Sequence, residues 1–164
     1  MSEPQKTARY RRPGSFTRRF FNPAVAGLTR LGLSVMGSNV LEVRGRRSGL
    51  VRSTPVNVLE YDGCEYVVAA RGETEWVRNL RAAGGRATLV RGRKRRAVLA
   101  SEVRDQDRSA ILRPYLKRWK FEVGVFFGGV RPDSPEEEFS SIAPLHPVFV
   151  LRDPEPEPEP SGAA

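Results

Sequence analysis

The chain has 164 residues and carries 28 Lys and Arg against 19 Asp and Glu, a formal charge of +9, and its length suits one domain with a core of its own. A single cysteine (Cys64) and a single histidine (His146) exclude an intramolecular disulfide, a cysteine-built zinc site and a multi-histidine metal centre. No apolar run reaches the ~18 residues of a membrane span, and the arginine-rich N-terminus is no secretory signal, so a cytoplasmic location is expected.

The charge is unevenly placed. Asp153, Glu155, Glu157 and Glu159 lie in the last twelve residues, leaving residues 1–152 with 28 basic against 15 acidic side chains, a net +13. Such an excess predicts an anionic partner: nucleic acid, an acidic membrane face, or a phosphorylated or polycarboxylate ligand. Nucleic acid is disfavoured, because no aromatic residues are interleaved with the basic motif described below and single-strand binding relies on base stacking. Residues 1–14 have no apolar period and read as a flexible basic arm. Residues 153–164 alternate Pro with Glu and read as a disordered tail, since Pro removes amide donors and like charges repel. The folded unit is expected over residues 15–152.

Within that unit, Asn22-Pro23 resembles an N-cap followed by a proline at the first helical position. Val25, Leu28, Leu31 and Val35 then recur every three or four residues, which predicts a helix with one apolar face. Phe16, Phe20 and Phe21, interleaved with Arg18 and Arg19, precede it. This segment is either a helix packed on the domain or a basic amphipathic element touching a membrane surface.

From residue 39 the period changes to that of strands. Residues 39–44 and 51–61 read as strands around the turn Gly45-Arg46-Arg47-Ser48-Gly49, with Pro55 marking an edge or bulge. Asp62-Gly63 is a hairpin signal, and residues 64–70 form a nearly continuous apolar strand that should bury Cys64. Glu73-Thr74-Glu75 opens a short helix to Ala83, closed by Gly84-Gly85. Residues 86–90 and 95–103 make another hairpin. Residues 105–119 have acids in the first turn and bases in the last, as the helix dipole favours, with Pro114 a candidate kink. Residues 121–131 are apolar and glycine-rich, 135–141 suggest a helical turn, and 148–151 a final strand. Short antiparallel strands joined by hairpins, with helices beside them, predict an α+β fold: a small barrel with peripheral helices.

Two motifs stand out. In Gly45-Arg46-Arg47-Ser48-Gly49-x-x-Arg52-x-x-Pro55, guanidinium groups, a hydroxyl and permissive glycines share one tight turn. Such a turn can aim charge-assisted bonds of about 1.5–3 kcal/mol each at phosphate or carboxylate oxygens, or it can be a solvated basic hairpin. It is not a phosphate-binding loop of the Walker type, because the spaced second glycine and lysine are missing. In Ala69-Ala70-Arg71-Gly72-x-x-x-Trp76-x-x-Asn79-Leu80 a strand ends and a helix begins. A flat ligand can lie against that bend, or Trp76 and Leu80 are simply core residues four apart and Asn79 a surface or capping group.

Together these motifs resemble the deazaflavin-dependent nitroreductase family, split-barrel proteins that use coenzyme F420. The matching stretch is LEVRGRRSGLVRSTPVNVLEYDGCEYVVAARGETEWVRNLRAAGG, followed by the basic hairpin and the closing HPVFVL strand. The resemblance covers about residues 16–151. It implies a split β-barrel of the FMN-binding type and hydride transfer from reduced F420 to a quinone-like, nitroaromatic or other conjugated electrophilic acceptor. It also implies that Arg46, Arg47, Ser48, Gly49 and Arg52 meet the anionic tail of the cofactor, and that Thr54, Pro55 and Val56 line its ring or ribityl channel. Ala69, Arg71 and Gly72 would then meet the polar edge of the ring, with Trp76 and Asn79 bracing that wall. Tyr115 and Phe126, the latter within an apolar lid over residues 121–129, are the substrate-side candidates. No protein side chain need act as catalyst, since the cofactor performs the redox step.

The pattern departs from the family where Glu73 follows Gly72, a place at which many members carry a paired glycine and a proline. Alternatives at this point are FMN as cofactor, a deazaflavin carrier without catalysis, and a barrel that binds nucleic acid. A homodimer and peripheral contact at the inner face of the membrane through the N-terminal helix are the further partners considered. The run Arg91 to Arg96 is a solvated hairpin, a second tail contact or an anionic-surface patch, and His146 is expected to be a hydrogen-bonding group at strand entry.

Overall fold

A computed structural model describes residues 38–155. The expected basic arm, the helix beginning at Asn22-Pro23 and the Pro-Glu tail beyond residue 155 lie outside the described residues. Among the described residues six strands and three helices follow in the order β1 (Ser38–Arg44), β2 (Val51–Tyr61), β3 (Cys64–Val68), α1 (Glu75–Ala82), β4 (Arg86–Arg91), β5 (Lys94–Glu102), α2 (Asp105–Val123), α3 (Glu136–Ile142) and β6 (Val148–Arg152). Short 3-10 turns follow α2 and α3. The strands close a barrel in the order β1-β2-β3-β6-β5-β4, every pairing antiparallel.

Alternation along each strand builds the barrel interior. Leu41, Val43, Val56, Val58, Val67, Leu89, Val98, Phe149 and Leu151 point inward and form one core cluster. Helix α1 closes one end of the barrel: Val77 and Leu80 are fully buried in that cluster, and Trp76 tilts onto Phe149 with ring centroids 5.8 Å apart. The Asp62-Gly63 turn has φ of 50° and 72° at its two central residues, the left-handed pair that a two-residue hairpin of matching twist requires. A second cluster covers the outer face of β2, β3 and β6. There Leu59, Val68 and Val148 meet Ile111, Leu112, Tyr115, Leu116, Trp119, Phe127 and Phe139. Arg108, 5% exposed, ties the two layers by donating to the Val103 and Ala143 carbonyls and pairing with Glu102.

Three expectations need correction. Strand β3 ends at Val68 rather than Ala70, because the chain bends there: Ala69 still donates to the Pro147 carbonyl at 2.8 Å, but Gly72 N–H turns back to the Ala69 carbonyl. Cys64 is half-buried rather than buried, being the first residue of its strand. Helix α2 runs through Pro114 to Val123, and the non-helical backbone falls at Trp119 (φ −121°, ψ 25°). Proline inside a helix costs about 3 kcal/mol. Burying Tyr115, Leu116, Trp119 and Val123 contributes about 1.5–3 kcal/mol each, so packing outweighs it.

Candidate active site

The basic turn between β1 and β2 is pinned from within. Gly45 N–H donates to the Leu50 carbonyl and Gly49 N–H to the Gly45 carbonyl, both at 2.8 Å, while Leu50 N–H reaches Ser48 Oγ at 3.3 Å. A side chain at Gly45 would set its Cβ 2.9 Å from Ser48 Oγ and 3.1 Å from the Leu50 carbonyl, so Ser48 and the turn would have to shift to admit one.

The turn is also pinned from outside, by α1. Asn79 Oδ1 accepts from Arg46 N–H at 3.2 Å and from Arg46 Nη1 at 3.0 Å, and Glu75 Oε2 accepts from the same Nη1 at 2.7 Å. Asn79 is 6% exposed. It is therefore no surface group but the joint between the two motifs. Glu75 joins Arg78 as well as Arg46, and the Arg46 guanidinium holds its carboxyl below the usual range. Arg46 is thus a strut. Among the described residues, Arg47 on the same turn and Arg52 at the start of β2 have no carboxylate partner and are exposed.

The remaining residues flank a split in the barrel. Strand β2 pairs with β1 along residues 51–57 but with β3 only along 58–61. Continued, the β2–β3 register would set Val56 opposite Ala69 and Thr54 opposite Arg71. Instead β3 turns away after Val68, leaving one side of β2 free of strand pairing among the described residues. Pro55, which has no N–H to donate, sits on this stretch with Thr54, both half-buried. Val56 and Ala69 point into the barrel core, so they form the floor of the gap rather than its walls. Across it, Gly72 has φ +82° and a Cβ there would lie 3.2 Å from the Leu145 carbonyl. The Arg71 guanidinium lies over the Phe126 ring, 4.9 Å from its centroid.

Two residues escaped sequence reasoning. Thr74, at the N-cap of α1, has a buried Oγ1 with no hydrogen-bond partner. Glu75, partner of the Arg46 strut, is 29 residues away in sequence. The first was legible as a capping type, and the second carried no sequence signal. Of the substrate-side candidates, Tyr115 is 2% exposed and packed between Trp119 and Phe127, its hydroxyl pushed well above the usual phenol range by burial. Its hydroxyl meets the Asn57 side chain of β2. Phe126 is half-buried beneath Arg71, while Phe121 is 90% and Val125 74% exposed, so residues 121–129 do not form one continuous lid. His146 is buried and stacked on Phe127 at 4.3 Å, with Nδ1 unpartnered.

A closed antiparallel barrel whose β2–β3 pairing stops short, with a cationic turn beside the gap, defines a split-barrel protein. Two solved structures share the fold. One is an F420-H2 dependent reductase (FDR-A), 18% identical, covering 71% of this chain and 94% of its own at a TM-score of 0.51. The other is described as a domain-swapped dimer, 16% identical, covering 86% and 100% at a TM-score of 0.53. No curated protein matches the chain. Residues 18–122 match the model of the F420H(2)-dependent quinone reductase family, and the chain belongs to that family. It is an oxidoreductase that uses coenzyme F420 and acts on a small-molecule acceptor, as its motifs led us to expect.

The residues fit such a cofactor. Its tail is a phosphate followed by glutamate, and spare guanidinium groups are offered by Arg47 on the turn and Arg52 at the start of β2, beside a crowded Gly45.

Proposed function

We propose that Arg47, Ser48, Gly49 and Arg52 hold the anionic tail of F420, with Arg46 fixing the turn from behind through Asn79 and Glu75. Thr54 and Pro55 would line the ribityl channel over the floor made by Val56 and Ala69. Arg71 and Gly72 would meet the polar edge of the ring, braced by Trp76. When bound, the reduced deazaflavin supplies a hydride from its C5 atom. The chain's own contribution is to bind, orient and shield from water. The acceptor we infer is quinone-like, nitroaromatic or otherwise conjugated and electrophilic, entering beside Arg71 and Phe126. The exposed Phe121 and Val125 offer an apolar contact for a second copy, and the domain-swapped relative supports a homodimer.

One observation carries this reading: two guanidinium groups without carboxylate partners among the described residues, one on and one just after a turn locked to α1 by a buried asparagine. Arg47→Glu sets a repelling charge at the tail while touching no packed group. Fluorescence titration with F420 should show a dissociation constant raised at least tenfold at an unchanged melting temperature. An unchanged constant would remove the tail assignment.

A further inference from the structure

The hairpin turns at 62–63 and 92–93 surround the other end of the barrel, away from α1, where a cleft of about 270 Å3 opens. Asn39 lines this cleft and Gly45 opens the basic turn; six residues of extended strand separate them, about 20 Å. The two sites are therefore distinct.

The lining follows the inward-facing positions of the strands. Deeper along those strands the positions hold Leu41, Val67 and Val98, all buried. At the mouth, above Val58 and Leu89, they hold Glu60, Glu65, Arg91, Lys94 and Arg96, joined by Arg118 from α2. Four cations thus face two carboxylates. Glu60 is taken by Arg91 at 3.8 Å and Glu65 by Arg96. Among the described residues Lys94 has no ion-pair partner, and Arg118 lies only against the Trp119 ring, 5.0 Å from its centroid.

Barrel stability does not call for this arrangement. Arg91 and Lys94 are direct cross-strand partners, and like charges placed so destabilise the pair. Arg96 moreover already holds a carboxylate from beyond the lining, Asp153, at 3.2 Å. The cleft is smaller than the ~300–1,000 Å3 of a drug-sized ligand site, so its occupant is small.

We propose that this mouth is a second anion site that takes a small polycarboxylate. Lys94 and Arg118 receive its carboxylates, Arg91 and Arg96 add to the field, and its carbon skeleton rests on Val58 and Leu89. The test is calorimetric titration of citrate, at fixed ionic strength, into the full chain. Saturable 1:1 binding is expected. Exchanging both spare cations (Lys94→Gln with Arg118→Gln) should weaken it at least tenfold, each single exchange should give an intermediate loss, and Arg47→Glu should leave it within twofold. Both positions are exposed, and an unchanged melting temperature verifies the fold. Absent saturation, binding that survives the double exchange, or loss confined to Arg47→Glu would overturn the site. Neutralising the acidic C-terminus (Glu155, Glu157 and Glu159 each to Gln) supplies the last arm. Unchanged affinity supports a site for free ligand, and binding that appears only in that variant shows the mouth to be filled by the chain itself and overturns it.

Discussion

Replacing Asn79 with alanine removes the acceptor that joins the basic turn to α1, and the cost can be worked from its bonds. The bond from Arg46 N–H is long, 3.2 Å, and neutral, worth about 0.5 kcal/mol. The bond from Arg46 Nη1, 3.0 Å and part-buried, is charge-assisted and worth about 1.5 kcal/mol. Glu75 keeps its grip on Nη1 at 2.7 Å, so the guanidinium is not stranded, but the backbone N–H is. The sum, about 2 kcal/mol, lowers Tm by about 8 °C in a domain of this size. It also frees the turn, so F420 should bind about tenfold more weakly. Asn79→Asp retains an acceptor for both donors and should keep the melting temperature within about 2 °C while weakening the anionic cofactor through its charge. Scanning calorimetry and fluorescence titration check both arms. A wild-type Tm together with a wild-type dissociation constant for Asn79→Ala would refute the idea that this bridge organises the site.

Burial holds His146 down to about 4, against 6.5 when solvated, so the fold contains the neutral ring. Between those values the unfolded chain binds more protons; stability is full above about pH 6.5 and falls as the pH drops toward 4. At about 1.36 kcal/mol per unit the loss is on the order of 3 kcal/mol, measurable by urea unfolding at several pH values. His146→Gln should flatten that slope, and parallel curves for the two proteins would contradict it. Glu75→Gln removes an exposed negative charge beside the tail while Asn79 still holds Arg46. Its F420 dissociation constant should fall two- to fivefold at low salt and return to the wild-type value at 0.5 M, since the effect is screened. Equal affinities at low salt would remove Glu75 from the electrostatics of the site.

Much of the barrel was legible because its signals are local. Alternation and the Asp62-Gly63 pair gave β2 its bounds and fixed the hairpin, since positive φ at both turn residues is a property of those two residues alone. The acid-to-base gradient marked α2 in the same way. Its kink was expected at Pro114, a local breaker, whereas the backbone leaves helical geometry at Trp119, the residue at which the sequence ends the helix, and the segment on to Val123 is held by burial against Phe127 and the sheet. The bend was placed two residues late for a like reason: Ala69 and Ala70 are apolar enough for a strand, and only the pull of β6 and the Gly72 turn directs them away from β2.

The residues in order determine that this chain has a cationic turn, a bend into a short helix, an inward apolar face on every strand and the motif pair of its family. They do not determine which arginine is free. Arg46 and Arg47 are adjacent and chemically identical, and their difference arises from Glu75 and Asn79, 29 and 33 residues away. Only closure of the barrel, which seats α1 on the end where the turn emerges, brings those partners within bonding distance of one guanidinium and leaves its neighbour to a ligand.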